Sequence, residues 1–250
     1  MELTNSNSNF SNITYVPTGE QTRTRSFIAN VFLLMFIALG VSALFAWQFS
    51  VNNQLLAYLI APTGLTGLGK ITLFAPLGFV LIMSFAYQRL SATALMALFM
   101  AYAIINGISF SFILLAFTPG SVLGCFLSAA AMFGIMAVMG YTTDKDLTKF
   151  GRILMMGVIG VLVAMVINYF LHSSQLDYII SIIGVMVFTA LTAYDVQKLK
   201  RISQGLEYQD GGGVAVNDVK KMSILGALTL YLDFINIFLF LLRMFGNKRG

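Results

Sequence analysis

Seven stretches of this chain, at about 27–49, 71–88, 92–116, 121–141, 153–171, 178–197 and 222–242, are continuously apolar and nearly free of charge. Each approaches the ~20 residues that carry an α-helix across ~30 Å of hydrocarbon. A transmembrane β-barrel would need ~10-residue segments of alternating polarity, and these runs are too long and too evenly apolar for that. With 58% hydrophobic and 10% charged residues, the chain cannot present an ordinary water-facing surface. The expectation is an all-α integral membrane protein of seven transmembrane helices.

What lies outside the runs is short. A polar tail occupies 1–22, one seven-helix membrane domain fills 23–246, and a basic tail covers 247–250. Between the runs lie a loop at 50–70, a basic turn at 142–152 and a loop at 198–221. The first run is too long for a signal-peptide core and is read as a retained helix. Asn9 and Asn12 stand in glycosylation-type triplets, a common pattern with meaning only for a lumenal tail.

Orientation follows from basic residues near the helix ends. Arg23, Arg25, Arg89, Lys145, Lys149, Arg152, Lys198, Lys200, Arg201, Lys220 and Lys221 fall on one side, and the opposite loops hold Lys70. That bias puts the N-terminus in the cytoplasm, in the plasma membrane of a cell. It also accounts for the net charge of +5, so no nucleic-acid partner is invoked. Seven crossings leave Arg243, Lys248 and Arg249 on the far side, against the rule, and a final segment that re-enters without crossing is the alternative.

Catalytic patterns are missing. His172 is the lone histidine and Cys125 the lone cysteine, which leaves no zinc spacing and no internal disulfide, so no enzyme and no bound cofactor are expected. The segment GLTGLG at 64–69 lacks the Lys-Ser/Thr of a phosphate loop and is read as a flexible entry to the second helix. Gly124 with Ser128, Ala130 with Gly134, and Gly157 with Gly160 place small residues where helices could approach closely. Asn106, Gly107 and Ser109 put polar groups at mid-depth in the third helix, as interhelical glue or as a cavity lining.

The informative residues are charges inside the membrane zone. An Asp at a helix centre costs about 2.5–3.5 kcal/mol on insertion scales, while each Leu, Ile or Phe returns only ~0.3–0.6. Asp233, near the middle of the last run, must therefore face the bundle interior, which makes that helix central. Asp195 stands one turn before Lys198, and Arg89 ends the second run on the same side. These three are the charges that could meet along one internal path.

The segments GYTTDKDLTKFGRILMMGVIG (140–160), TAYDVQKLK (192–200) and LYLDFINIFLFLLRMFG (230–246) resemble the Bax inhibitor-1 family in its bacterial branch. The resemblance implies two three-helix layers around a central C-terminal helix, residence in a bacterial inner membrane, and a pH-sensitive calcium leak latched by an aspartate pair. By motif position the pair is Asp195 and Asp233, with Arg89 engaging it from the second helix. Calcium is then the permeant ion, passing Asp195 and Asp233 as a loose oxygen-lined path. Some family members carry an acid within the second helix, where this chain has Gly78 nearest. The resemblance also allows a regulatory role through protein–protein interaction, including association with a membrane-bound AAA protease.

Two carboxylates ~4 Å apart at an effective dielectric of ~20 repel by about 4 kcal/mol, which favours one proton shared between them at neutral pH. A change in that protonation would free the sixth helix from the seventh. Asp233 lies twelve residues beyond Lys221, about 18 Å along a helix, whereas Asp195 is one turn from Lys198. The two meet only if the seventh helix starts below the membrane surface or the sixth is drawn inward. Competing readings make Asp195 an interfacial acid and Asp233 a protonated core group, or make both a proton relay in a coupled transporter, although no internal repeat supports the last.

Overall fold

A computed structural model describes residues 18–62, 64–208 and 216–249. The chain forms α1 (Thr18–Val51), α2 (Asn53–Ala57), β1 (Ile60–Ala61), β2 (Gly64–Leu65), α3 (Gly67–Ala86), α4 (Ala92–Ala116), α5 (Pro119–Thr142), α6 (Thr148–Leu171), α7 (Ser174–Tyr208) and α8 (Val216–Phe245). Every described helix but α2 is long and apolar enough to cross a membrane, giving seven spans. Local chemistry marks the ends. Thr66 and Ser91 accept backbone N–H groups of Gly69 and Ala94 at the starts of α3 and α4, Pro119 opens α5, and His172 closes α6 in the left-handed region at φ 51°.

Packing sorts the spans into two groups of three. α4 holds α1 and α3, α7 holds α5 and α6, and α8 lies between them against α1, α4, α5 and α7. In the most apolar window of α8, 72% of residues are buried, against 6% in α6. α8 is the centre of the bundle and α6 is lipid-facing.

The last span crosses completely. Arg243, near its end, pairs with Asp177 in the first turn of α7 at 3.1 Å, and the backbone of Asn247 and Arg249 bonds to Thr118 and Ala116 between α4 and α5. A segment that turned back could not reach these groups, so the re-entrant alternative is set aside.

Four expectations are corrected. α1 begins at Thr18, inside the expected tail, of which residues 1–17, with Asn9 and Asn12, lie outside the described residues. The expected loop at 198–221 is mostly helix, with 209–215 outside the described residues. GLTGLG is a built turn: β2 pairs with β1, the Thr66 hydroxyl donates to Tyr58 O, and Gly69 lies so close to the Leu59 carbonyl that a Cβ would collide with it. Finally, Gly124, Gly134 and Gly160 have open space where a side chain would stand. Of the expected glycines only Gly157 packs closely, against the Val187 side chain of α7, and the tight backbone contacts fall elsewhere, at Gly107 against Ser42 and at Gly140 against Ala193.

Candidate functional site

α7 and α8 run side by side, and each carries one acid into their interface. Asp195 is 7% exposed and Asp233 2% exposed, and their carboxyl groups are in hydrogen-bonding contact. Such a bond needs a proton on one of the two, since two bare carboxylates offer only acceptors. Asp233 Oδ2 is buried, and no donor group among the described residues reaches it. A polar atom left this way in an apolar core marks the place where a proton, a water or a cation would lower the energy most.

Helix length explains how acids at different distances from their nearest lysines share one depth. α7 continues thirteen residues past Asp195 to Tyr208, about 20 Å, and α8 starts at Val216, seventeen residues or about 26 Å before Asp233. Lys198 therefore lies within α7 and does not mark its end. It is exposed, one turn from Asp195, and its charge acts on that carboxyl.

Arg89 stands apart. It is exposed beyond the end of α3, whose partner in the bundle is α4, and it forms no ion pair among the described residues. In this conformation the pair is made by α7 and α8 alone, and the arginine assigned by resemblance is not brought to it.

Two further polar arrangements flank the pair along α7 and α8, and of their members only Asn106 stood out in the sequence as a polar group at mid-depth. Ser42 on α1, Asn106 on α4 and Tyr231 on α8 form a buried cluster: Ser42 Oγ is 2.7 Å from Tyr231 OH, Asn106 Nδ2 is 2.8 Å from the same oxygen, and Ser42 Oγ donates to Ala103 O at 2.7 Å. Ser42 has one proton and gives it to Ala103, so Tyr231 must donate to Ser42 and accept from Asn106. Asn106 is thus interhelical glue. Tyr231→Phe removes the shared atom and is expected to cost about 1–2 kcal/mol. A drop of a few degrees in melting temperature in detergent checks this.

The second arrangement fastens the α5–α6 turn to α7. The Gln197 carboxamide accepts the Leu147 N–H and donates to Lys145 O, both at 2.8 Å, while Lys200 donates to Tyr141 O at 2.8 Å. Arg201 pairs with Asp146 at 2.7 Å. The Thr148 hydroxyl and backbone N–H, with Arg201, hold the Asp146 carboxyl down from 3.8 to about 2. Because that value is depressed, the stabilisation from ionised Asp146 is complete above about 3.8 and fades as pH falls toward about 2. Asp146→Asn is therefore expected to leave any response between pH 6 and 8 unmoved while speeding hydrogen exchange at the Thr148 amide, whose acceptor is Asp146 Oδ1 at 2.9 Å.

The family described as "Inhibitor of apoptosis-promoting Bax1" matches residues 24–250. This chain belongs to the Bax inhibitor-1 family. Within it, the chain is 40% identical to the inner membrane protein YbhL of Escherichia coli strain K12 over 225 residues, 90% of this chain and 93% of YbhL. An uncharacterized protein of Borreliella burgdorferi is 40% identical over 224 residues, covering 90% and 93% of the two chains. One from Deinococcus radiodurans is 40% identical over 225 residues, covering 90% and 91%. For this Bax inhibitor-1 family member, kinship and architecture agree: a multi-pass membrane protein with seven spans, similar to a bacterial inner-membrane protein. Among the described residues no three His, Cys, Asp or Glu side chains converge as a metal site.

Proposed function

We propose that this protein is a pH-sensitive calcium leak of a bacterial inner membrane, with its N-terminus cytoplasmic and its gate the Asp195–Asp233 pair. The observation that carries this reading is the contact of two nearly fully buried carboxyls from adjacent helices, with no donor group among the described residues reaching Asp233 Oδ2. With one proton shared, the contact ties α7 to α8. With the proton gone, two charges ~4 Å apart at an effective dielectric of ~20 repel by about 4 kcal/mol, enough to shift a two-state packing by roughly a thousandfold. A freed carboxylate pair in an otherwise apolar interface is also a transient resting point for a hard divalent cation. Arg89 enters this scheme as a group that could engage the pair only in another conformation of the bundle.

The test is calcium entry into liposomes containing the purified protein, followed between pH 6 and 8. A rate that changes with pH and depends on protein supports the gate. Protein-containing liposomes no more permeable than empty ones at every pH would refute it, and uptake that requires a proton gradient would assign the same two acids to a coupled transporter.

A further inference from the structure

A second feature is independent of the gate. Between α1 and α5 runs a groove of about 530 Å³. Its floor is Met35, Phe133 and Phe234, all buried, and its rim carries Phe36 and Val138, 61% and 62% exposed, so the slot opens sideways between spans and faces lipid. The lining spans Arg25 to Phe36 on α1 and Ala130 to Tyr141 on α5, eleven residues of rise on each helix or about 16 Å. That is the depth of one leaflet of a ~30 Å core.

Chemistry changes along the slot. At its mouth, on the end of the bundle rich in Lys and Arg, stands Arg25, exposed and without an ion pair among the described residues. Beside it Tyr141 carries the Lys200 ammonium 5.2 Å from its ring centre. Among the described residues no acidic side chain lines the groove, and everything deeper is apolar. A cationic mouth over a leaflet-deep apolar slot is complementary to a single molecular class in a bilayer, one with an anionic head and an alkyl chain.

We propose that the α1–α5 groove is a binding site for one anionic phospholipid, its phosphate at Arg25 with Lys200 nearby and one acyl chain lying along Met35, Phe133 and Phe234. The groove separates binding from folding at one position. Gly134 lines it and has nothing within 4 Å of where a Cβ would stand, so a larger side chain there fills the slot without displacing a helix.

The experiment is native mass spectrometry of the full-length protein in detergent, titrated with phosphatidylglycerol or phosphatidylcholine of identical acyl chains. Wild type is expected to retain phosphatidylglycerol at least roughly fivefold better, the factor that one basic group contributes at an anionic surface. Arg25→Gln should erase that preference and leave phosphatidylcholine binding alone. Gly134→Phe should lower both by about tenfold or more with an unchanged melting temperature, and Ala29→Phe, from the facing wall, does the same should the first variant not fold. Equal retention of the two lipids by wild type, undiminished retention in a folded groove-filling variant, or a second copy of the chain occupying the groove to the exclusion of lipid would each overturn the assignment.

Discussion

Calcium entry through the reconstituted protein is expected to lose its pH dependence in Asp195→Asn and in Asp233→Asn alike. Each substitution keeps the size of the side chain and removes one member of a pair that titrates as a unit. A switch that takes up one proton can change its open population by at most about a hundredfold across two pH units. Wild type should fall within that limit between pH 6 and 8, and either variant should vary by less than about twofold. The double variant should add little to the singles, because two residues in contact do not contribute independently. If both singles keep the wild-type profile, the acids are structural and the pH response, if any, lies elsewhere. Asp146→Asn serves as the internal control, its carboxyl being held at about 2 and so fully ionised throughout this window.

The largest effect on stability is expected from Gly140→Leu. At Gly140 the backbone of α7 at Ala193 comes so near that a Cβ meets the carbonyl oxygen of Ala193, with its Cα and carbonyl carbon at 2.8 and 2.9 Å. Backbone cannot step aside as a flexible side chain can, so α5 and α7 would have to separate. Overpacking of this kind costs about 1–3 kcal/mol or more. In a bundle of this size that lowers the melting temperature by about 5–10 °C. Ala193 is two residues from Asp195, so the same variant should also disturb the acid pair, visible as an altered pH profile in whatever protein remains folded. Gly134→Leu is the matched comparison: the same chemical change on the same helix, into open space, with little loss expected.

The sequence is legible where one physical rule acts alone. Seven uncharged runs mean seven spans because lipid tolerates no exposed backbone, and the local cost of Asp233 in hydrocarbon places α8 inside, where the carboxyl can be paired, protonated or wet. Legibility fails where two rules compete. Lys198, Lys200 and Arg201 read as a loop because basic residues flank membranes, yet Lys and Arg are good helix formers, and here α7 continues through them while two of the three fasten the α5–α6 turn. Small-residue spacing identifies a face without saying what it meets, so it pointed to Gly134, which has open space beside it, and passed over Gly140, which meets a backbone. Tyr231 was invisible among the aromatics of its run, since its role depends on Ser42 and Asn106, distant in sequence. Arg89 was assigned by its place at the end of the second run and by motif position, and neither carries information about which conformation a chain occupies.

The most deeply buried span is also the seventh of seven to be synthesised. While α1 to α7 thread into the bilayer, the surfaces that will clasp α8 have no protein neighbour, and lipid must occupy the axis until translation delivers the final helix. Assembly is therefore late and concerted: a nascent chain arrested in the α7–α8 connection would hold six inserted spans around a lipid-filled centre, with Asn106 and Asp195 deprived of their partners on α8, and membrane quality control could distinguish it from the finished molecule by those stranded polar groups.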